Sequence, residues 1–161
     1  MIQFLYDKFP IFNLLIKFEN NYLYAIEFCK KDTILFVDRL DNKKFDFIKK
    51  LIRQLDCYLN DGKFKFDIPI VEHGSLFQQK LYARIRQIRS GTTESYLSLA
   101  HKFATSTRGI GNSCGRNKIP LFIPCHRVIA VNGNLGGFMN NKVGSFGLLV
   151  KKWLLKHEQI N

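Results

Sequence analysis

The chain has 161 residues, which is the length of one ordinary domain or two small ones. Hydrophobic residues make up 46% of it and 15 residues are Phe, so its apolar surface is large enough for a core, which excludes a disordered chain. The net charge of +12 is uneven: residues 1–72 carry 12 Lys/Arg and 11 Asp/Glu, whereas residues 73–161 carry 13 Lys/Arg and two acids, Glu94 and Glu158. A half so short of acids is typical of a polyanion-binding surface, and nucleic acid is favoured over a membrane because the basic residues are not confined to one amphipathic stretch.

The first ten residues lack the features of a signal peptide, and no run of about 18 uncharged apolar residues predicts a membrane span. The four cysteines have neither C-x-x-C spacing nor a flanking His in a zinc pattern, so no metal and no cofactor are expected. They indicate thiols in a reducing compartment, and we expect a cytoplasmic protein, associated with the nucleoid in a prokaryote. A disulfide between Cys29 and Cys57 stays open, because intracellular disulfides occur in hyperthermophiles.

The first part of the chain predicts a small α/β unit with an antiparallel sheet. Two short stretches rich in aromatic and branched aliphatic residues flank a polar turn, which is typical of a β-hairpin. A third such stretch predicts another strand, and a longer one has apolar side chains at helical spacing. These elements are predicted over residues 11–18 and 22–28 (hairpin), 33–37 (strand) and 45–59 (helix).

The charge changes at residues 68–74, where proline and glycine predict a linker. We therefore expect one domain over residues 1–72 and a second over residues 73–161. In the second, Ser75 and either Ser106 or Thr107 are predicted helix N-caps, and two short helices with a tight turn between them predict a helix-turn-helix. Helices are predicted from Ser75 to Arg89, from Thr93 or Glu94 onward, from Ser106 or Thr107 to about Cys114, and over residues 148–157.

Cys125 lies in the block Ile123-Pro124-Cys125-His126-Arg127-Val128, after residues 120–124, which are predicted to be extended. A lone cysteine is more often a small buried hydrophobe. A proline on one side and His-Arg on the other are unusual for a core position, whereas an adjacent His can raise the fraction of nucleophilic thiolate. The block therefore favours Cys125 as a reactive nucleophile.

This block resembles the active-site signature of the O6-alkylguanine-DNA alkyltransferases, also called methylated-DNA–protein-cysteine methyltransferases. The likeness covers residues 73–161 well, and residues 1–72 only in length and coarse pattern. It implies an α+β fold, with a ribonuclease H-like N-terminal domain and a mainly α C-terminal domain that contains a winged-helix-like helix-turn-helix. The other positions that match, in order, are Ser95-Tyr96 with Leu99-Ala100, Arg108, Asn117, Pro120, Trp153-Leu154-Leu155 and His157-Glu158.

The resemblance implies direct DNA repair, in which an alkyl group moves from O6 of guanine, or from O4 of thymine, irreversibly to Cys125. The target base would be flipped out of the duplex to reach the thiol. His126 would act as the base through a water, and Glu158 would orient it. Asn117 would hold the turn that carries the cysteine, and Tyr96 would donate a hydrogen bond to the leaving guanine.

The resemblance also implies a monomer that binds double-stranded DNA through the minor groove, largely independently of sequence. Arg108 would fill the gap left by the flipped base. The loop of residues 132–147 is several residues longer than is usual in the family. The extra residues leave two alternatives for the pocket wall, Phe138-Met139 or Ser145. The residues expected to contact DNA are Ser95, Tyr96, Arg108, Cys114, Arg116 and Arg127, with Cys114 a weaker wedge and a second thiol that could be exposed. The residues expected in the pocket are Pro120, Val128, Phe138, Met139 and Ser145.

Three other functions remain open. A Cys-His hydrolase or transferase of another class would use Cys125 and His126, but neighbouring side chains on a strand point to opposite faces and no glycine motif for an oxyanion is evident. A non-catalytic module that binds alkylated bases would lack the cysteine. A plain helix-turn-helix regulator fits the length and charge but leaves Pro-Cys-His-Arg unexplained.

Overall fold

The computed structural model describes residues 1–34, 45–139 and 145–159. It confirms the predicted mixture of helices with a small antiparallel sheet. Within the described ranges, no helix combines the length and the apolar character needed to cross a membrane. The first part of the chain contains β1 (Ile2–Tyr6), β2 (Asn13–Glu19), β3 (Tyr22–Cys29) and α1 (Phe45–Asn60). The second part contains α2 (Leu76–Arg86), β4 (Glu94–Ser95), α3 (Tyr96–Lys102), α4 (Thr107–Gly115), β5 (Val128–Ile129) and α5 (Phe146–Gln159).

The sheet is antiparallel with the strand order β1-β2-β3. Asn20 and Asn21 join β2 to β3 with φ values of 48° and 62°, a backbone that two-residue hairpin turns need and that asparagine tolerates. The predicted hairpin is therefore confirmed, whereas the sequence pattern does not predict β1. The strand predicted over residues 33–37 falls mostly outside the described ranges.

Helix α1 covers the sheet with the apolar stripe that its spacing predicts. Leu51, Leu55 and Tyr58 on this stripe are fully buried. Phe47 of α1 contacts Phe18 of β2, with ring centroids 5.6 Å apart. The helix predicted over residues 45–59 is confirmed.

Helix α5, at the far end of the chain, joins the same core. The ring of Trp153 meets those of Phe9 and Phe12 edge-on, with centroids 5.6 and 5.4 Å away. The predicted linker also lies against the sheet, because Leu23 on β3 exchanges backbone hydrogen bonds of 2.9 Å with Pro69 and Val71. The core therefore spans both parts of the chain, and the division into two domains stays a prediction.

Three of the described helices after the linker, α2, α3 and α4, begin at capping serines, as predicted for Ser75 and Ser106. Helices α3 and α4 pack together across a turn in which Ala104 has a φ of 47°, which gives the predicted helix-turn-helix. Helix α2 ends at Arg86 instead of Arg89. Helix α3 begins later than predicted, because β4 pairs in parallel with β5 before the helix starts. The caps are Ser75 to Gln78 N, Ser95 to Ser98 N and Ser106 to Gly109 N.

The segment before Cys125 is a tight turn, so the prediction of an extended stretch is wrong. Leu121 has a φ of 81°, and Ile123 N donates to Ile119 O at 2.9 Å. Pro120 and Ile123 form the bridge that closes the turn. Two prolines that bracket three apolar residues are typical of an extended segment. The backbone hydrogen bond across the turn instead reverses the chain before it reaches β5.

Candidate active site

Cys125 opens a single turn of 3-10 helix, Cys125–Arg127, and is only 3% exposed. Asn117 contacts both this turn and the segment before it. Its Nδ2 donates to Ile123 O at 2.9 Å and lies 3.2 Å from Cys125 Sγ, while its Oδ1 accepts from Ile119 N at 2.9 Å. One amide therefore fixes both arms of the preceding turn and contacts the sulfur.

The environment of Cys125 keeps its sulfur protonated at rest. Burial raises the pKa of the thiol, and the hydrogen bond from Asn117 and the charge of Lys151 oppose this effect. A nucleophile that is buried as a neutral thiol needs a base within reach.

His126 and Glu158 form a fully buried pair, with His126 Nε2 2.7 Å from Glu158 Oε1. Burial lowers the pKa of His126, although Glu158 acts in the opposite direction. Burial would raise the pKa of Glu158, but the hydrogen bonds and charges of His126 and Arg127 outweigh it and hold that pKa well below its usual range. Glu158 is thus an acceptor-only carboxylate beside a neutral imidazole.

This protonation state fixes the tautomer of His126. A carboxylate cannot donate, so the proton lies on Nε2 and points at Glu158, and Nδ1 carries the free lone pair. Nδ1 is buried and has no hydrogen-bond partner among the described residues. The imidazole is therefore held ready to accept a proton at Nδ1.

Glu158 has two further partners. Arg127 donates to Glu158 from Nε and from Nη2, each at 2.9 Å. Its Nη1 also donates to Ile88 O at 2.6 Å. Tyr58 of α1 donates its hydroxyl to Oε1 at 2.9 Å, and burial raises the pKa of that phenol well above its usual value. Sequence reasoning missed Tyr58, which lies 100 residues from Glu158 along the chain.

A cavity of about 560 Å³ opens beside Cys125, within the range of about 300–1,000 Å³ typical of small-molecule sites. Tyr96 of α3 and both Arg108 and Cys114 of α4 line it. Of the two alternative pocket walls, Phe138 and Met139 line the cavity and Ser145 does not.

Two other predicted pocket residues do not line the cavity. Pro120 is buried in the turn described above, and Val128 is fully buried in β5, where its carbonyl accepts from Lys151. The hydroxyl of Ser145 is buried and has no partner among the described residues, and its carbonyl accepts from the first turn of α5. None of the three lines the cavity.

The predicted DNA-contact residues differ in how exposed they are. Arg108 and Arg116, at the two ends of α4, are exposed, and Ser95 caps α3. Arg127 is turned inward, because the buried carboxylate of Glu158 attracts its guanidinium, and its side chain is only 11% exposed. Cys114 is 8% exposed and lies in the cavity wall, so it is not an exposed thiol. All four cysteines are free, including Cys29 and Cys57.

Lys151 is a fully buried cation that sequence reasoning also missed. Its Nζ donates to the carbonyls of Val128 at 2.7 Å, Leu135 at 2.5 Å and Gly137 at 3.3 Å, and lies 3.4 Å from the hydroxyl of Tyr96. Burial lowers its pKa to about 8, and the neighbouring cysteines act in the opposite direction. The signal was its position on the buried face of α5, in line with Val150, Leu154 and Glu158.

Comparisons with known proteins give one consistent family. Residues 76–160 match the family described as "6-O-methylguanine DNA methyltransferase, DNA binding domain". A methylated-DNA–protein-cysteine methyltransferase of Methanosarcina mazei is 32% identical over 159 residues, which cover 96% of this chain and 95% of that protein.

Solved structures have the same fold. The OGT of Mycobacterium tuberculosis in complex with DNA is 24% identical, with a TM-score of 0.76 over 96% of this chain and 91% of that one. An O6-methylguanine DNA methyltransferase from Methanococcus jannaschii is 25% identical, with a TM-score of 0.67 over 98% and 94% of the two chains.

Proposed function

The chain belongs to the 6-O-methylguanine DNA methyltransferase family, and on this premise we propose that it repairs DNA directly, by moving an alkyl group from O6 of guanine to Cys125. One observation carries the proposal. A buried thiol, with the unpartnered Nδ1 of a neutral His on the next residue, opens onto a cavity of about 560 Å³. This arrangement combines a nucleophile, a base and room for a substrate.

The transfer begins with deprotonation of Cys125. His126 Nδ1 takes the thiol proton through a bridging water, and Glu158 stabilises the imidazolium that forms. Asn117 and Lys151 stabilise the thiolate, the first by its 3.2 Å contact and the second by its charge. Arg127 and Tyr58 keep Glu158 ionised and in place, so we assign Arg127 a positioning role instead of a DNA contact.

The thiolate sulfur then attacks the alkyl carbon. A carbon–sulfur bond forms, the carbon–O6 bond breaks, and the guanine leaves with the electron pair of that bond. The hydroxyl of Tyr96 lines the cavity and donates a hydrogen bond to the purine as negative charge develops on it. The thioether has no easy return path, so each molecule acts once.

The alkylated base reaches this cavity by flipping out of a duplex. Helix α4 enters the minor groove, where Arg108 fills the space left by the base and Arg116 contacts phosphate. The protein acts as a monomer on DNA of any sequence. Because its substrate is chromosomal DNA, we place it in the cytoplasm with the nucleoid of a prokaryotic cell.

The test is intact mass after incubation with duplex DNA that contains O6-methylguanine. We expect a gain of one methyl group, mapped to Cys125 and absent from Cys125→Ala. Duplex that contains O4-methylthymine, run in parallel, tests the second substrate. Retained DNA binding without any adduct would contradict the transfer and favour a non-catalytic module that recognises alkylated bases.

A further inference from the structure

Two thiols share the wall of the cavity, and the proposed reaction uses one of them. Cys114 lies in the last turn of α4 and Cys125 opens the 3-10 turn, and both line the cavity while being almost fully buried. The other two cysteines in the described ranges, Cys29 and Cys57, are half-buried and do not line it.

Asn117 ties these two cysteines to each other. Its backbone N–H donates to the carbonyl of Cys114 at 3.2 Å, and its side chain contacts the sulfur of Cys125 at 3.2 Å. The end of α4 and the turn that carries the nucleophile are therefore joined by one residue. The charge of Lys151 also acts on both sulfurs.

We propose that Cys114 and Cys125 are a peroxide-sensitive pair that closes to an intramolecular disulfide inside the cavity. The Cys125 thiolate attacks one oxygen of hydrogen peroxide, the oxygen–oxygen bond breaks, and hydroxide leaves and takes a proton to become water. The sulfur of Cys114 then attacks the sulfur of the Cys125 sulfenic acid, and the second water leaves with the Cys114 proton. The two sulfurs are oxidised and the peroxide is reduced to two waters.

The order of the two steps follows from the contacts of each thiol. Cys125 has the amide of Asn117 and the neighbouring His126 to support its thiolate, and Cys114 has neither contact at its sulfur among the bonds described. Burial raises the pKa of Cys114 strongly, so it acts second, as the resolving thiol.

The disulfide would have two consequences. It removes the acceptor sulfur from alkyl transfer, and it is reversible, whereas a lone Cys125 would be oxidised further to sulfinic acid, which reductants do not restore. Only the loss of transfer rests on the proposed function. The cross-link itself is measured independently of alkyl transfer.

The experiment treats the reduced, full-length protein with hydrogen peroxide and follows intact mass and the peptide map. We expect a loss of two hydrogen atoms, a linked peptide pair that contains Cys114 and Cys125, and recovery of both free thiols with dithiothreitol. Methyl transfer from O6-methylguanine duplex, measured on the same samples, should disappear and return with the cross-link. A reduced protein that never transfers methyl but forms the cross-link would contradict the proposed function and leave the thiol pair standing.

The variant Cys114→Ser provides the comparison, with its folding checked by thermal unfolding. Under the same peroxide dose we expect it to gain two oxygens on Cys125, without recovery by dithiothreitol. Irreversible oxygen addition to Cys125 in the unmodified protein, or a cross-link that maps to Cys29 or Cys57, would overturn the proposal. Mapping on the unmodified protein decides the question even if the variant does not fold.

Discussion

The tautomer of His126 determines which of its ring nitrogens can accept the proton of Cys125. Glu158 accepts the Nε2 proton, so Nδ1 is the only atom of the ring that can take a proton from Cys125. The ordinary pKa of a histidine is about 6.5. Burial moves the pKa of His126 below that value, so its neutral, base-competent form persists to lower pH.

The first prediction concerns the acid limb of methyl transfer. A group with a lowered pKa takes up its proton only as the pH falls through that lower value, so the single-turnover rate at saturating duplex should still exceed half of its maximum at pH 6.5. The measurement is the rate of methyl addition to Cys125 between about pH 5 and 8. Duplex binding, followed at each pH, serves as the control. A midpoint at or above 6.5 would show that His126 is not held neutral by burial.

Lys151 contributes a second pH dependence, at alkaline pH. Its pKa is about 8 in the folded protein, below the ordinary lysine value of 10.5, so between these values the unfolded chain binds more protons. The contribution of Lys151 to stability therefore rises with pH through this window, and the burial cost of its ammonium is fully present below about pH 8. The gain between pH 8 and 10.5 is about 3 kcal/mol.

Lys151→Met should remove this alkaline rise. The free energy of unfolding of the variant minus that of the unmodified protein should fall between pH 7.5 and 10, as measured by urea denaturation, because only the unmodified protein loses the burial cost of the ammonium. Lys152→Met is the matched control, because Lys152 is the next residue on α5 and is exposed. Parallel pH profiles for Lys151→Met and the unmodified protein would show that Lys151 titrates normally.

At the scale of elements, the chain predicts local features well and distant contacts poorly. The capping serines and the apolar stripe of α1 depend on neighbours three or four residues away, so the helices were predicted closely. Tyr58 and Lys151 join the site through contacts between distant segments, which no local pattern encodes. The reversed turn at Leu121 depends on the amide of Asn117, so the sequence Pro-Leu-Phe-Ile-Pro looked extended. The pairing of Glu158 with His126 was predicted only through the family resemblance.

The contact of Gly62 with α5 gives a prediction at this scale. A Cβ at Gly62 would overlap the carbonyl oxygen of His157 and lie 2.8 Å from the Cα of Glu158. Gly62→Ala should push the end of α5 away, lower the free energy of unfolding by about 1–3 kcal/mol and slow methyl transfer. Gly111→Ala is the control for stability, because nothing lies within 4 Å of its Cβ and alanine favours the helix by up to about 1 kcal/mol. Equal stability effects would show that α5 does not depend on this close approach.

Helix α4 gives the next prediction, because Arg108 and Arg116 are both exposed but lie at opposite ends of it. Arg108→Ala should slow transfer from saturating duplex by about tenfold or more, since unstacking a base costs a few kcal/mol. It should leave the reaction with free O6-benzylguanine nearly unchanged. Arg116→Ala, the control, should weaken duplex binding without slowing transfer at saturation. If Arg108→Ala slowed the reactions with duplex and with free base equally, the result would contradict a role of Arg108 in base flipping.

At the scale of the whole molecule, charge and packing are divided differently along the chain. The core draws on both parts, since Trp153 packs on Phe9 and Phe12 and Tyr58 reaches Glu158. The net positive charge lies almost entirely in residues 73–161, where Glu158 is buried and Glu94 is already paired with Arg84 and Lys102. Apart from Arg84, Arg127 and Lys151, the basic side chains described in this half are exposed with little acidic compensation, and Arg108 lines the cavity that contains Cys125.

This division predicts that salt acts on DNA binding and not on the chemistry at Cys125. Each phosphate contact releases counterions, so the logarithm of the duplex-binding constant should fall linearly with the logarithm of salt concentration, by about 0.9 per contact. The reaction with free O6-benzylguanine involves no phosphate and serves as the control, with a rate that should change little over the same range, because Cys125, His126 and Glu158 are shielded from solvent. The measurements are fluorescence anisotropy with labelled duplex and intact-mass kinetics with the free base. A flat binding response would rule out the basic half as the DNA-binding surface, and a salt-sensitive free-base reaction would show that the site is not insulated by the fold.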